Sequence, residues 1–276
     1  MNTETYHFNV GDFKCIAIND GIIDSIPAHE FFDGAPLYDL QMAFERHNLP
    51  PGNMSIPVII LYIDTGDHHV LVDSGSGRHT DDPNVGHLLS RLKFEGINPE
   101  DIDTVVLSHG HWDHIGGNTQ PNGTPTFPNA RYVIDRKEYT YWVTQENPGD
   151  IPTIYKNLTL IREQIDLLDH NAAVVPGIQA IHAPGHTLGH TAYRVTSGGE
   201  TMYCLIDTVD HPIHFEYVHW TPSWDMEPRK SAESRRSLFE QATREKALVH
   251  GFHLPFPGLG HLSELGTAWR YEPLGI

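Results

Sequence analysis

The segment that most restricts this chain is a short strand, Asp103 to Leu107, that runs straight into Ser108, His109, Gly110, His111, Trp112, Asp113 and His114. A strand end holds its backbone in place, and the turn after it splays His109, His111, Asp113 and His114 toward one point. Imidazole and carboxylate are the groups that Zn2+ and similar divalent ions bind. Two histidines one residue apart can face the same ion, and the Asp-His pair behind them can reach a second ion beside it. The competing reading is a histidine-rich surface loop. Four ligand-type residues within six positions, directly after a strand, weigh against it.

Histidine usage points the same way. The chain has 20 histidines in 276 residues, scattered and without the run of six that marks a tag, and histidine is the commonest metal ligand. The two cysteines, Cys15 and Cys204, form neither a disulfide framework nor a paired zinc motif. Cys204 lies in an apolar stretch and reads as a buried thiol. With 18 basic against 36 acidic residues the formal charge is −18. That argues against nucleic acid and anionic membranes as partners, since both need a basic footprint. No apolar run is long enough to span a membrane, and the first residues lack the basic and apolar regions of an export signal. A soluble, cytoplasmic protein acting on a small molecule is expected.

Periodicity places strands at Tyr6–Val10, Lys14–Asn19, Ile56–Asp64, His69–Asp73, Arg131–Ile134, Ile178–His182, Thr191–Val195 and Thr201–Ile206, with Ala247–His250 as the last. Helices are expected at Val85–Phe94, from Arg136, and at Arg229–Lys246, and Leu158, Ile161, Ile165 and Leu168 fall at helical spacing. Residues 20–55 are less regular and read as a loop or arm over the surface, available to a homodimer. The whole, 1–276, reads as one α/β domain of sheets covered by helices.

Further ligand-type residues follow strands downstream. Pro184 and Gly185 make a sharp turn before His186. Asp207 ends an apolar strand, where a carboxylate is costly unless paired or on a metal. His253 follows the strand that ends at His250.

With these loops the chain resembles the metallo-β-lactamase superfamily, from the Ile56–Asp73 hairpin to Pro257. The resemblance implies an αββα four-layer sandwich with two divalent metal ions at one edge. Zinc leads the candidates, and the same ligands accept Mn, Fe or Co. It further implies that His109, His111 and His186 hold one ion, that Asp113, His114 and His253 hold the other, and that Asp207 bridges both. Asp73 matches an aspartate that orients the metal loop. The implied chemistry is hydrolysis by a metal-bridging hydroxide, with Asp113 and Asp207 as the catalytic carboxylates. No Gly-x-Ser-x-Gly elbow offers a serine nucleophile instead.

The stretch His253 to His261, with Phe252 to Trp269 around it, is similar to the tail of methyl parathion hydrolase-like enzymes and related lactonases. Lactones, carboxyl esters and phosphotriesters are therefore the expected substrates. A β-lactamase or a glyoxalase-type thioester hydrolase of the same fold is an alternative, as is an iron-containing redox or sulfur-handling protein. Acyl homoserine lactone lactonases often carry a tyrosine three residues after the bridging aspartate; here that position is Asp210, followed by His211. His211 is the substrate-side candidate. Trp112 is expected at the pocket, and Phe31, Phe32, Trp142, Trp220, Trp224 and Phe252 are expected mostly in the core.

Overall fold

The computed structural model describes residues 4–50, 52–78, 82–144 and 152–275. Two seven-stranded sheets lie face to face. In the first, β1 (Thr5–Val10), β2 (Phe13–Pro27), β3 (Asn53–Asp64), β4 (His69–Val72), β5 (Thr104–Leu107), β6 (Arg131–Asp135) and β7 (Ile165–Leu168) are neighbours in chain order. The pairs up to β4 are antiparallel, and those from β4 to β7 are parallel. The second sheet holds β8 (Ala173–Val175), β9 (Ile178–His182), β10 (Thr191–Ser197), β11 (Glu200–Cys204), β12 (Leu248–His250), β13 (Leu259–Leu265) and β14 (Ala268–Pro273). Its one parallel pair is β11 with β12.

Helices cover both outer faces, which gives the expected αββα order. Leu61, Ile63, Val70, Val72 and Val106 meet Ala180, Tyr193, Val195 and Met202 between the sheets. Their chain neighbours Ile60, Tyr62, Val105 and Leu107 point outward instead. There they pack beneath α3 (Leu88–Phe94), α5 (Arg136–Val143) and α6 (Pro152–Thr159). Successive strand residues alternate between faces, and both faces are buried, so β3 and β5 read as nearly continuous apolar runs. On the far side, Tyr203, Leu205 and Val249 pack under α7 (Ile213–Glu216) and α8 (Pro228–Glu245).

Three expectations are corrected. Residues 20–55 are not a surface loop or arm. β2 continues to Pro27, pairing Ile22, Ile23 and Ile26 with Pro57, Ile56 and Met54 across two register shifts. Helices α1 (Ala28–Phe31) and α2 (Leu37–Arg46) follow. Phe31, Phe32, Ala43 and Phe44 are buried against Ile213 and Trp220. Bulges break the period of two and the helices are short, so neither pattern was visible; Pro51 lies outside the described residues. The helical spacing from Leu158 to Leu168 is accidental. The helix stops at Thr159, a 3-10 turn at Arg162–Gln164 redirects the chain, and Ile165–Leu168 is β7. Finally, β12 is not the last strand: a hairpin, β13 and β14, completes the second sheet.

Candidate metal centre

Every candidate ligand lies just past a strand end at one edge of the sandwich. β5 leads into His109 and His111, and the short helix α4 (Trp112–Ile115) carries Asp113 and His114. The β9–β10 loop carries His186, a 3-10 turn after β11 carries Asp207, and the turn after β12 carries His253. All but His111 are buried. Two glycines make the loops fit. A Cβ on Gly110 would collide with the Trp142 indole, and Gly185, at φ +137°, has no room for one beside Ser231. The second position is open to glycine alone on backbone grounds as well.

The side chains fall into two groups, His109, His111, His186 and Asp207, and Asp113, His114 and His253. In the first, His111 Nδ1 lies 3.0 Å from His109 Nε2 and 2.9 Å from His186 Nε2. In the second, Asp113 Oδ2 lies 3.6 Å from His114 Nε2 and 3.4 Å from His253 Nε2. Asp207 touches both groups: Oδ2 is 3.3 Å from His186 Nε2 and 3.4 Å from His253 Nε2, and Oδ1 is 3.2 Å from His114 Nε2.

Hydrogen bonding does not account for this packing. A neutral imidazole has one N–H, yet His111 Nδ1 faces two other ring nitrogens. His114 Nε2 and Asp207 Oδ1 are buried with no hydrogen-bond partner although they are neighbours. Ring nitrogens about 2 Å from a tetrahedral cation sit about 3.3 Å apart, close to the spacings seen. The residues fit two divalent cations sharing the Asp207 carboxylate.

The opposite ring nitrogens are committed elsewhere. His114 donates from Nδ1 to Asp73 at 2.9 Å, His186 to Asp225 at 2.8 Å, and His253 to the Pro57 carbonyl at 2.8 Å. These bonds fix the tautomer and leave Nε2 free for a metal. Asp73 is held by the Ser108 N–H at 2.7 Å and hydroxyl at 2.8 Å. Its φ of 63° is a strained value for a residue with a side chain. A buried Glu138 on α5 ties two ligand loops together: it accepts from the Gly110 N–H (2.9 Å), Trp142 (2.6 Å), the Thr187 hydroxyl (2.8 Å) and the Gly189 N–H (2.8 Å).

Electrostatics match the geometry. Burial pushes His109 and His111 well below their ordinary pKa, which keeps them neutral as ligands must be. At His114 burial opposes protonation, but Asp207, Asp113 and Asp73 carry the pKa well above its usual value. At His186 burial is likewise outweighed, by Asp225 and then Asp207, and the pKa rises to about 9. The carboxylates of this centre draw positive charge into it.

A cavity of about 340 Å³ opens over the centre. Its floor includes His111, Asp113, Asp207 and His253, and its walls include Ile23, Ile26, Ile56, Trp112 and Trp224. Three wall residues thus come from the segment first read as a loop or its border with β3. Trp112 stands where expected, Trp220 and Phe32 pack in the core, and the Phe252 ring stacks 3.9 Å from His114. His211, expected on the substrate side, is not among the residues lining this cavity. Its Nδ1 accepts from the Ile213 N–H at 3.2 Å, its ring packs 5.9 Å from Phe32, and burial pushes its pKa down to about 3. Asp210 lines the cavity instead. Both its carboxyl oxygens are buried without a hydrogen-bond partner, and burial, then the Asp207 charge, lifts its pKa to about 7. Asp225 and Glu138 gave no signal in the sequence, because their partners lie 39 to 51 residues away for His186, Thr187 and Gly189.

Residues 56–261 match the profile of the metallo-beta-lactamase superfamily. An N-acyl homoserine lactonase of Bacillus cereus is 27% identical over 225 residues, covering 74% of this chain and 84% of that protein. The N-acyl homoserine lactonase AttM of Rhizobium johnstonii is 26% identical over 190 residues, covering 56% and 67%. Among solved structures, the dizinc quorum-quenching lactonase AidC, in complex with a product, superposes with a TM-score of 0.92 at 25% identity over 99% of this chain and 98% of that one. The hydrolase AbOPH superposes at 0.89 with 23% identity over 99% and 98%, a likeness of fold. With its sandwich, its ligand loops and a match across three quarters of its length, the chain belongs to the metallo-beta-lactamase superfamily.

Proposed function

We propose that this chain is a dizinc hydrolase that opens the ring of N-acyl homoserine lactones. The observation that carries the reading is the shared Asp207 carboxylate at the floor of a largely apolar cavity. The lactonase relatives and the dizinc lactonase neighbour support it.

His109, His111 and His186 would hold one zinc, Asp113, His114 and His253 the other, and Asp207 both. Bound zinc supplies Lewis acidity and lowers the pKa of water at the centre. The protein's part is to fix geometry. Asp73, Asp225 and the Pro57 carbonyl hold three ligand rings in one tautomer. Ile23, Ile26 and Ile56 offer an apolar wall for an acyl chain and exclude water from it. Asp210, not His211, is the group placed to hold a proton for the alkoxide that ring opening releases. The carboxylates Asp113 and Asp207 would serve as ligands and would need no proton of their own.

The test is a pH-stat assay of the zinc-loaded protein on N-acyl homoserine lactones, with aryl esters and phosphotriesters as parallel arms. Ring opening is expected at rates above the other two. If the lactones stay intact while two zinc ions per chain are present, the reading is wrong. Turnover of only an ester or a triester would move the same centre to the wider substrate class. Asp207→Ala is expected to abolish turnover and to weaken zinc binding.

A further inference from the structure

We propose that Asp135, His170 and His182 form a third cation site, separate from the dinuclear centre, that takes a divalent transition ion such as zinc. The three offer ligand atoms that all lie within 4.8 Å of one another. Asp135 is the last residue of β6, His170 follows β7 by two residues, and His182 is the last residue of β9. Two donors therefore come from the first sheet and one from the second. A shared ion would pin the two sheets together at this edge.

The cap of a helix and a stacked pair of rings bring the three side chains together. Asp135 Oδ1 is fixed by the N–H groups of Lys137 (2.8 Å) and Glu138 (3.3 Å), as the cap of α5. Its other oxygen, Oδ2, faces His170 Nδ1 at 2.8 Å. The His170 and His182 rings stack 3.6 Å apart at 29°. His182 Nδ1 is buried with no hydrogen-bond partner. The His170 side chain is 48% exposed, so water has access to the remaining coordination positions.

Two imidazoles and a carboxylate suit zinc and its neighbours, whereas Mg2+ and Ca2+ prefer oxygen alone. The site has a structural consequence. Asp135 caps the helix that presents Glu138, and Glu138 holds Gly110 and Gly189 in the dinuclear loops. An ion on Asp135 stiffens that support.

Elemental analysis after equilibrium dialysis of the metal-stripped chain against excess zinc tests this directly. The wild type is expected to hold three equivalents. The exposed-residue variant His170→Ala, and separately His182→Asn, are expected to hold two. Asp207→Ala disturbs the dinuclear centre and should leave the third equivalent in place. The third ion should raise the Tm of the wild type and leave that of His170→Ala unchanged. A wild type that stops at two equivalents overturns the proposal, and so does a His170→Ala variant, folded by circular dichroism, that still holds three.

Discussion

At the scale of single residues, the centre depends on acceptors behind the ligands. Asp225 touches His186 through the nitrogen that faces away from the metal position. Asp225→Ala leaves His186 free to turn or change tautomer, and zinc affinity is expected to fall by about 10- to 100-fold. Competition with a chromogenic chelator reads this directly, and an unchanged affinity would remove Asp225 from the centre. Asp210 is the second residue-scale case. Asp210→Asn keeps the shape of the side chain but has no proton to give. It is expected to lower kcat on the lactone by about 100-fold or more, with zinc content intact and KM little moved. Equal kcat in the variant would show that the proton comes from elsewhere. The His109–His114 motif was legible because its four ligands fall within six positions and follow a strand. Asp225 was not, because nothing local distinguishes an aspartate that meets its histidine only after folding. His211 misled for a related reason: a histidine next to a cavity residue in sequence can turn away from the cavity, as this one does toward Phe32.

At the scale of elements, α5 is the brace of the site. Its Glu138 is buried and accepts four hydrogen bonds from three separate segments. Glu138→Ala strands those donors, and each buried unsatisfied group costs about 1–3 kcal/mol. A loss of about 3 kcal/mol or more is expected, which is a fall in Tm on the order of 10 °C for a chain of this size. Thermal unfolding of the metal-free protein measures it without interference from zinc. Strands buried on both faces, such as β3 and β5, announced themselves as apolar runs. The β13–β14 hairpin did not, because Ser263 and Glu264 stand side by side and much of the hairpin is exposed, so neither an apolar run nor a strict alternation marks it. Likewise β2 past Asn19 is broken by two register shifts, and shifts erase the period on which strand recognition rests.

For the whole molecule, the αββα layering followed from element order, while the cavity did not. Its Ile23, Ile26 and Ile56 walls are brought over the metal edge by the long β2–β3 pairing and by α1, a long-range arrangement with no local signature. An apolar wall predicts a graded response to substrate length. Each buried methylene is worth about 0.8 kcal/mol, so kcat/KM should rise by about fourfold per added carbon until the acyl chain outgrows the cavity. A flat series from butanoyl to decanoyl would mean that the chain lies outside it. The order of the ligand loops also has a bearing on biosynthesis. His109 and His114 are made early, but Asp207 and His253 belong to the last third of the polypeptide. A nascent chain leaves the ribosome from its N-terminus, so neither cation can be fully enclosed until translation has passed residue 207, nor the second until it has passed 253. Zinc is therefore loaded into the dinuclear centre of a nearly finished protein, and a message truncated before codon 253 yields a chain whose second position in that centre lacks one ligand.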